Sequence, residues 1–157
     1  MEKVINVDIK EMDDLVERYN EEIVSKDLIN YILNQAKFIN KKDNLKIIIN
    51  QKFDFECDII KMINKALNDL YLLNLKKSYI NNIKQFIFLI LGIICLILYG
   101  IVNNPIISEI ILIGGWVLIW EMVDLFLFSD TQLKRDKMVL RKLLKSEFVV
   151  NKKVIKD

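Results

Sequence analysis

With 23 Lys and Arg against 21 Asp and Glu, this 157-residue chain is close to neutral overall, but its charge is partitioned: residues 1–84 hold 14 bases and 14 acids, residues 85–128 no base and three acids, and residues 129–157 nine bases and four acids. The absence of histidine removes the commonest near-neutral acid–base group and metal ligand, and with it catalytic triads and His-based zinc sites. Cys57 lies in a charged stretch and Cys95 in an apolar run, environments that do not meet, so two reduced thiols are expected.

At the N-terminus, Ile5, Val7 and Ile9 alternate with Asn6 and Asp8, the period of a strand. Residues 10–24 hold six acids, one Lys and one Arg and read as a solvated helix or loop. Ser25 is placed to cap a helix reaching about Ile39, with Asp27 in its first turn and Leu28, Ile32, Leu33 and Ala36 on one stripe. A turn at 40–44 leads to a second strand, Leu45–Asn50. Asp54 is expected to cap a long helix from about Phe55, with Ile59, Ile60, Ile63, Leu67, Leu70 and Leu73 on its apolar side. Packing on the sheet explains that side better than a coiled coil of under two heptads. No Gly or Pro occurs between Phe53 and Leu91, so this helix is expected to run into the apolar segment, with Asn81–Asn82 as its weak point.

Residues 85–102 are uncharged, and 18 helical residues extend about 27 Å, enough to cross a hydrocarbon core with slight thinning or snorkelling. After Asn103, Asn104 and Pro105 a second apolar run covers residues 106–128. A soluble helical hairpin is the competitor, but a chain of this size has too few other elements to cover two helices apolar on every side. A signal peptide is excluded because 84 residues precede the first run. Lys76, Lys77 and Lys84 before it, and Lys134, Arg135 and Lys137 after the second, put both termini in the cytoplasm by the positive-inside rule. Counting outward from the turn brings Gly92 level with Gly115 and Gly100 with Ser108, pairs that would let the helices approach closely.

Glu109, Glu121 and Asp124 project within about 120° of one another at 100° per residue. Two alternatives stand: interfacial acids that reach headgroups, or Glu121 and Asp124 facing a protein interface or an oligomeric pore, with Lys84 or Lys134 as charge partners. Trp120 suits the interfacial belt, and Trp116, nearer the midplane, is expected to pack. The block Gly115-Trp116-Val117-Leu118-Ile119-Trp120-Glu121-Met122-Val123-Asp124, followed by an aromatic-rich end and a basic helix, resembles a group of bacterial two-span membrane proteins of unassigned function. The similarity runs from about Ile23 to Val150 and is sharpest in these ten residues. It implies a shared membrane architecture, lends no activity, and marks Gly115, Trp116, Trp120 and Asp124 as the positions to test first.

Beyond the apolar runs, Ser129–Asp130 is expected to cap a basic helix with Leu133, Leu140 and Leu144 among Lys134, Arg135, Lys137, Arg141, Lys142 and Lys145. Such a helix suits anionic lipid headgroups, each base contributing about 1 kcal/mol near the surface. Nucleic acid is not an expected partner, because no aromatic platform or recognised module accompanies the charge. Glu147–Val150 reads as a short strand, with Phe148–Val150 expected to pair with the sheet of residues 4–9 and 45–50.

The sequence therefore predicts an α+β membrane protein: a cytoplasmic α/β domain with its juxtamembrane helix over 1–84, an antiparallel transmembrane hairpin over 85–128 (85–102 and 106–128), and a basic helix with a strand over 129–157. The cell membrane is the expected location. Lacking a Gly-rich phosphate loop or a base-flanked nucleophile, the chain is expected to be non-enzymatic and without a cofactor, acting through self-association or a protein partner. The alternative is a homo-oligomeric channel or membrane-permeabilising effector gated by the cytoplasmic part. The Asn-, Ile- and Lys-rich composition fits the codon bias of an AT-rich genome, here read as bacterial.

Overall fold

A computed structural model describes residues 2–17, 20–39, 43–51 and 58–152. In chain order the elements are β1 (Glu2–Ile9), α1 (Met12–Leu15), β2 (Val16–Glu17), β3 (Asn20–Val24), α2 (Lys26–Lys37), β4 (Asn44–Gln51), α3 (Ile59–Ile101), α4 (Pro105–Asp124), a π-helical turn (Leu125–Ser129), α5 (Asp130–Leu143) and β5 (Glu147–Lys152). They form two compact units. Met1–Leu73 with Lys137–Asp157 carries the sheet, and Asn74–Asp136 is helical. The chain passes from one to the other inside α3 and returns inside α5.

The sheet has three strands in the order β1-β4-β5, all parallel. Parallel neighbours cannot be joined by a tight turn and need a crossover connection. Here the β1–β4 crossover contains α1, α2 and a small hairpin, and the β4–β5 crossover contains the whole helical excursion from α3 to α5. The register aligns Ile5 with Ile47 and Phe148, and Val7 with Ile49 and Val150, so the alternation seen in each strand becomes one apolar face. Ile47 and Ile49 are fully buried, packed in one core with Leu28, Ile32 and Ala36 of α2, Ile59, Ile63 and Leu67 of α3, and Leu140 and Leu143 of α5. Each fully buried Ile or Leu contributes about 1.5–3 kcal/mol. The opposite face mixes Val4, Ile48 and Val149 with polar pairs: Lys46 pairs with Glu147 at 3.3 Å, Asn50 Nδ2 donates to Asp8 Oδ1 at 2.7 Å, and Asn151 Nδ2 donates to Asn50 Oδ1 at 3.4 Å.

Several expectations are corrected. Residues 10–24 are not a solvated segment. They contain α1 and the antiparallel pair β2–β3, which places Val16 opposite Val24, and Leu15, Val16 and Val24 are buried in the core while Ser25 N donates to Leu15 O at 2.9 Å. The apolar residues Met12, Leu15, Val16, Ile23 and Val24, scattered among six acids, set no regular period. Ser25 holds the cap position of α2 without a side-chain hydrogen bond. The expected cap Asp54, Phe55 and Cys57 lie outside the described residues; at the start of α3 Asp58 Oδ1 accepts from Lys61 N at 3.2 Å. Leu73 stands exposed rather than on the sheet. Asn81–Asn82 does not interrupt α3, which is continuous over 43 residues. Nor does Ser129–Asp130 begin a new helix: the π turn carries α4 into α5 without a break, so that Pro105–Leu143 is helical over 39 residues.

Candidate functional site

The helical unit begins from its turn. Asn104 caps α4, its Oδ1 accepting from Ile106 N at 3.0 Å and Ile107 N at 3.2 Å, and Pro105 occupies the first helical position, where a missing N–H costs nothing. Ser108 is buried, and its hydroxyl donates to Pro105 O at 2.9 Å. The Asn-Asn-Pro sequence thus stops one helix and starts the next within three residues.

Below the turn, Gly92 and Gly115 meet. A Cβ added to Gly92 would lie 2.9 Å from Ile119 Cγ1 and 3.6 Å from Gly115 O; one added to Gly115 would lie 3.0 Å from Cys95 Cβ and 3.6 Å from Gly92 O. Helix association in lipid relies on close packing of this kind because hydrophobicity supplies no driving force there. Gly100 does not take part, since a Cβ there meets nothing within 4 Å. The expected Gly100–Ser108 approach is therefore corrected. Gly92 and Gly100 differ by about 80° around a helix at 100° per residue, so both cannot face α4.

Trp116 and Trp120 both point away from the helix contact, 55% and 64% exposed. α3 does not cover Trp116, which lies one position beyond Gly115, about 100° around α4, so the expected packing of Trp116 is not made within this chain. Glu109, Glu121 and Asp124 are exposed as well. Among the described residues no ion pair joins Glu121 or Asp124 to Lys84 or Lys134; Lys134 Nζ instead lies 2.6 Å from Oδ2 of Asp130, one turn earlier on α5. Asp130 is buried, and this pairing replaces its expected capping role. Of the other bases assigned to headgroups, Arg135 is exposed in the helical unit, whereas Lys137 is half-buried and Arg141 exposed in the sheet-bearing unit. The helix that carries them does not lie free, since Leu140 and Leu143 are core residues of the sheet.

A further polar set escaped the sequence. Asn74 Oδ1, Asn81 Nδ2 and Gln85 Nε2 are buried without a hydrogen-bond partner, and all three lie on α3 within the helical unit. Spacings of seven and four place them on one stripe, which continues through Gly92. The spacing was visible in the sequence, but abundant Asn elsewhere concealed it. Among the described residues no three His, Cys, Asp or Glu side chains converge as metal ligands would. Searches among models of protein families, curated proteins and solved structures find no match to this chain.

Proposed function

We propose that this chain is an integral protein of the cell membrane, that α3 and α4 cross the bilayer as an antiparallel pair with both termini cytoplasmic, and that it acts without catalysis, through self-association or a protein partner. One observation carries the proposal. The two long helices are apolar enough to cross a membrane, yet only 6% of the most apolar window of each is buried. Core helices of a soluble protein would be mostly covered by other elements. Ile87, Ile94, Ile97, Ile110, Ile113 and Val117 are instead among the apolar side chains left open, and lipid is the solvent that accommodates such a surface. The bases flanking the pair, and none at its Asn-Asn-Pro turn, support the proposed orientation. The resemblance to bacterial two-span proteins is likewise proposed on the Gly115–Asp124 block.

Fractionation and reporter fusions test this. The protein is expected in the membrane pellet after carbonate washing, with both termini reporting cytoplasmic; recovery in the high-speed supernatant would refute it. Chemical cross-linking in native membranes is expected to trap a dimer or higher oligomer, or a defined hetero-complex.

A second proposal, a homo-oligomeric channel, is favoured by Glu121 and Asp124 standing exposed on the side of α4 away from α3 without an ion-pair partner among the described residues. Carboxylates on an outward face could line a pore only between copies. In liposomes, Glu121→Gln with Asp124→Asn should then alter ion flux; a protein giving no flux above empty liposomes excludes it.

A further inference from the structure

Bases cluster near the end of α5. Met138, Arg141 and Lys142 lie on one stripe of α5 at i, i+3 and i+4, Lys145 follows in the turn after it, and Leu140 and Leu143 enter the core. Together with Asp43 and Asn44 at the start of β4, these residues line an open, shallow cleft of about 380 Å3. Three positive groups line it against one acid, Asp43. Among the described residues neither Arg141 nor Lys145 has an ion-pair partner. The partial charge at a helix C-terminus amounts to roughly half an elementary charge, so compensation of the α5 end does not account for both Arg141 and Lys145.

We infer that this cleft binds a phosphate group carried on a small organic moiety. Arg141 supplies a planar fork matched to two phosphate oxygens, Lys145 acts as a mobile point charge, Lys142 adds to the positive potential of the cleft, the Asn44 amide offers a neutral donor, and Met138 offers an apolar contact for the group bearing the phosphate. An anionic lipid headgroup and a soluble phosphate ester present the same chemistry to these residues. The cleft lies within the sheet-bearing unit, and the inference does not depend on the apolar helices crossing a membrane.

The test uses full-length protein and its thermal unfolding midpoint. In one arm, protein in maltoside detergent is titrated with inorganic phosphate and with glycerol 3-phosphate. In the other, it is placed in nanodiscs of phosphatidylcholine alone or mixed with phosphatidylglycerol. A raised midpoint is expected in at least one arm; a response confined to the soluble esters identifies a soluble ligand, and one confined to phosphatidylglycerol identifies a headgroup. Arg141→Gln with Lys145→Gln should weaken the response at least tenfold. Lys61→Gln with Lys65→Gln, which removes two exposed charges outside the cleft, should leave it intact. Asn44→Asp, which removes no base, should also weaken it and serves if the first double variant fails to fold. No response in either arm, or equal loss in both double variants, overturns the inference.

Discussion

Gly92 and Gly115 hold each other's place: the Cβ position of each lies 3.6 Å from the carbonyl oxygen of the other. What a side chain would crowd at this level is the neighbouring side chains, Ile119 Cγ1 at 2.9 Å from a Cβ on Gly92 and Cys95 Cβ at 3.0 Å from one on Gly115. Gly114, one residue away, has open space where its Cβ would be. Adjacent glycines therefore serve unlike ends.

Gly115→Ala should destabilise the helix pair by about 1–3 kcal/mol, the usual cost of forcing extra volume into a packed contact, because Cys95 Cβ at 3.0 Å cannot rotate away. Gly114→Ala should be neutral or stabilising by up to about 1 kcal/mol through helix propensity. Unfolding in mixed detergent micelles measures both. Equal effects at the two positions would contradict the contact.

Asn81→Leu should raise the unfolding midpoint through a stabilisation of about 1 kcal/mol or more. An unsatisfied buried donor carries a desolvation cost of about 1–3 kcal/mol, and Asn81 Nδ2 is such a group. A lowered midpoint would mean that a water molecule or another chain holds this amide.

Removal of residues 147–157 should weaken the sheet-bearing unit, because β5 covers one side of β4 and brings Phe148 and Val150 against the core. Amide exchange over residues 44–51 is expected to accelerate at least tenfold, while exchange over residues 88–100 stays unchanged. Ile47→Ala, at a fully buried position, should cost about 2–5 kcal/mol. Its effect and that of the truncation should not add, since Ile47 is the register partner of Phe148.

Lys134→Ala should destabilise more than Asp130→Asn. The first variant leaves the buried Asp130 carboxylate without its cation at 2.6 Å, whereas the second removes the buried charge itself. Thermal midpoints of the two variants and of the double variant rank the effects; the reverse order would show that Asp130 is hydrated.

Much of this was legible one element at a time. Period-two alternation in residues 4–9 and 45–50 placed two strands, and the uncharged run of residues 85–102 with its partner at 106–128 placed two long helices, because each pattern repeats within one segment. The turn at Asn103–Pro105 also gave the depth match of Gly92 with Gly115, since an antiparallel hairpin fixes height by counting. What counting does not give is rotation. Trp116, Gly100 and the Asn74–Asn81–Gln85 stripe each depended on which way a helix face turns, and a single sequence of apolar residues is nearly symmetric about its axis.

The chain's order of residues by itself determined where charge is absent, where strands alternate and how long the apolar helices are, because those properties are local. Only the tertiary structure decided that β1, β4 and β5 run parallel, that the entire helical excursion from α3 to α5 is the crossover between β4 and β5, and that a π turn at Leu125–Ser129 keeps one helix continuous where Ser129–Asp130 read as a start. Strand direction is set by where each connection returns the chain, through contacts between residues distant in sequence that no local period records, and the π turn is closed by the backbone bond from Asp130 N–H to Leu125 O, which the side-chain pattern does not reveal.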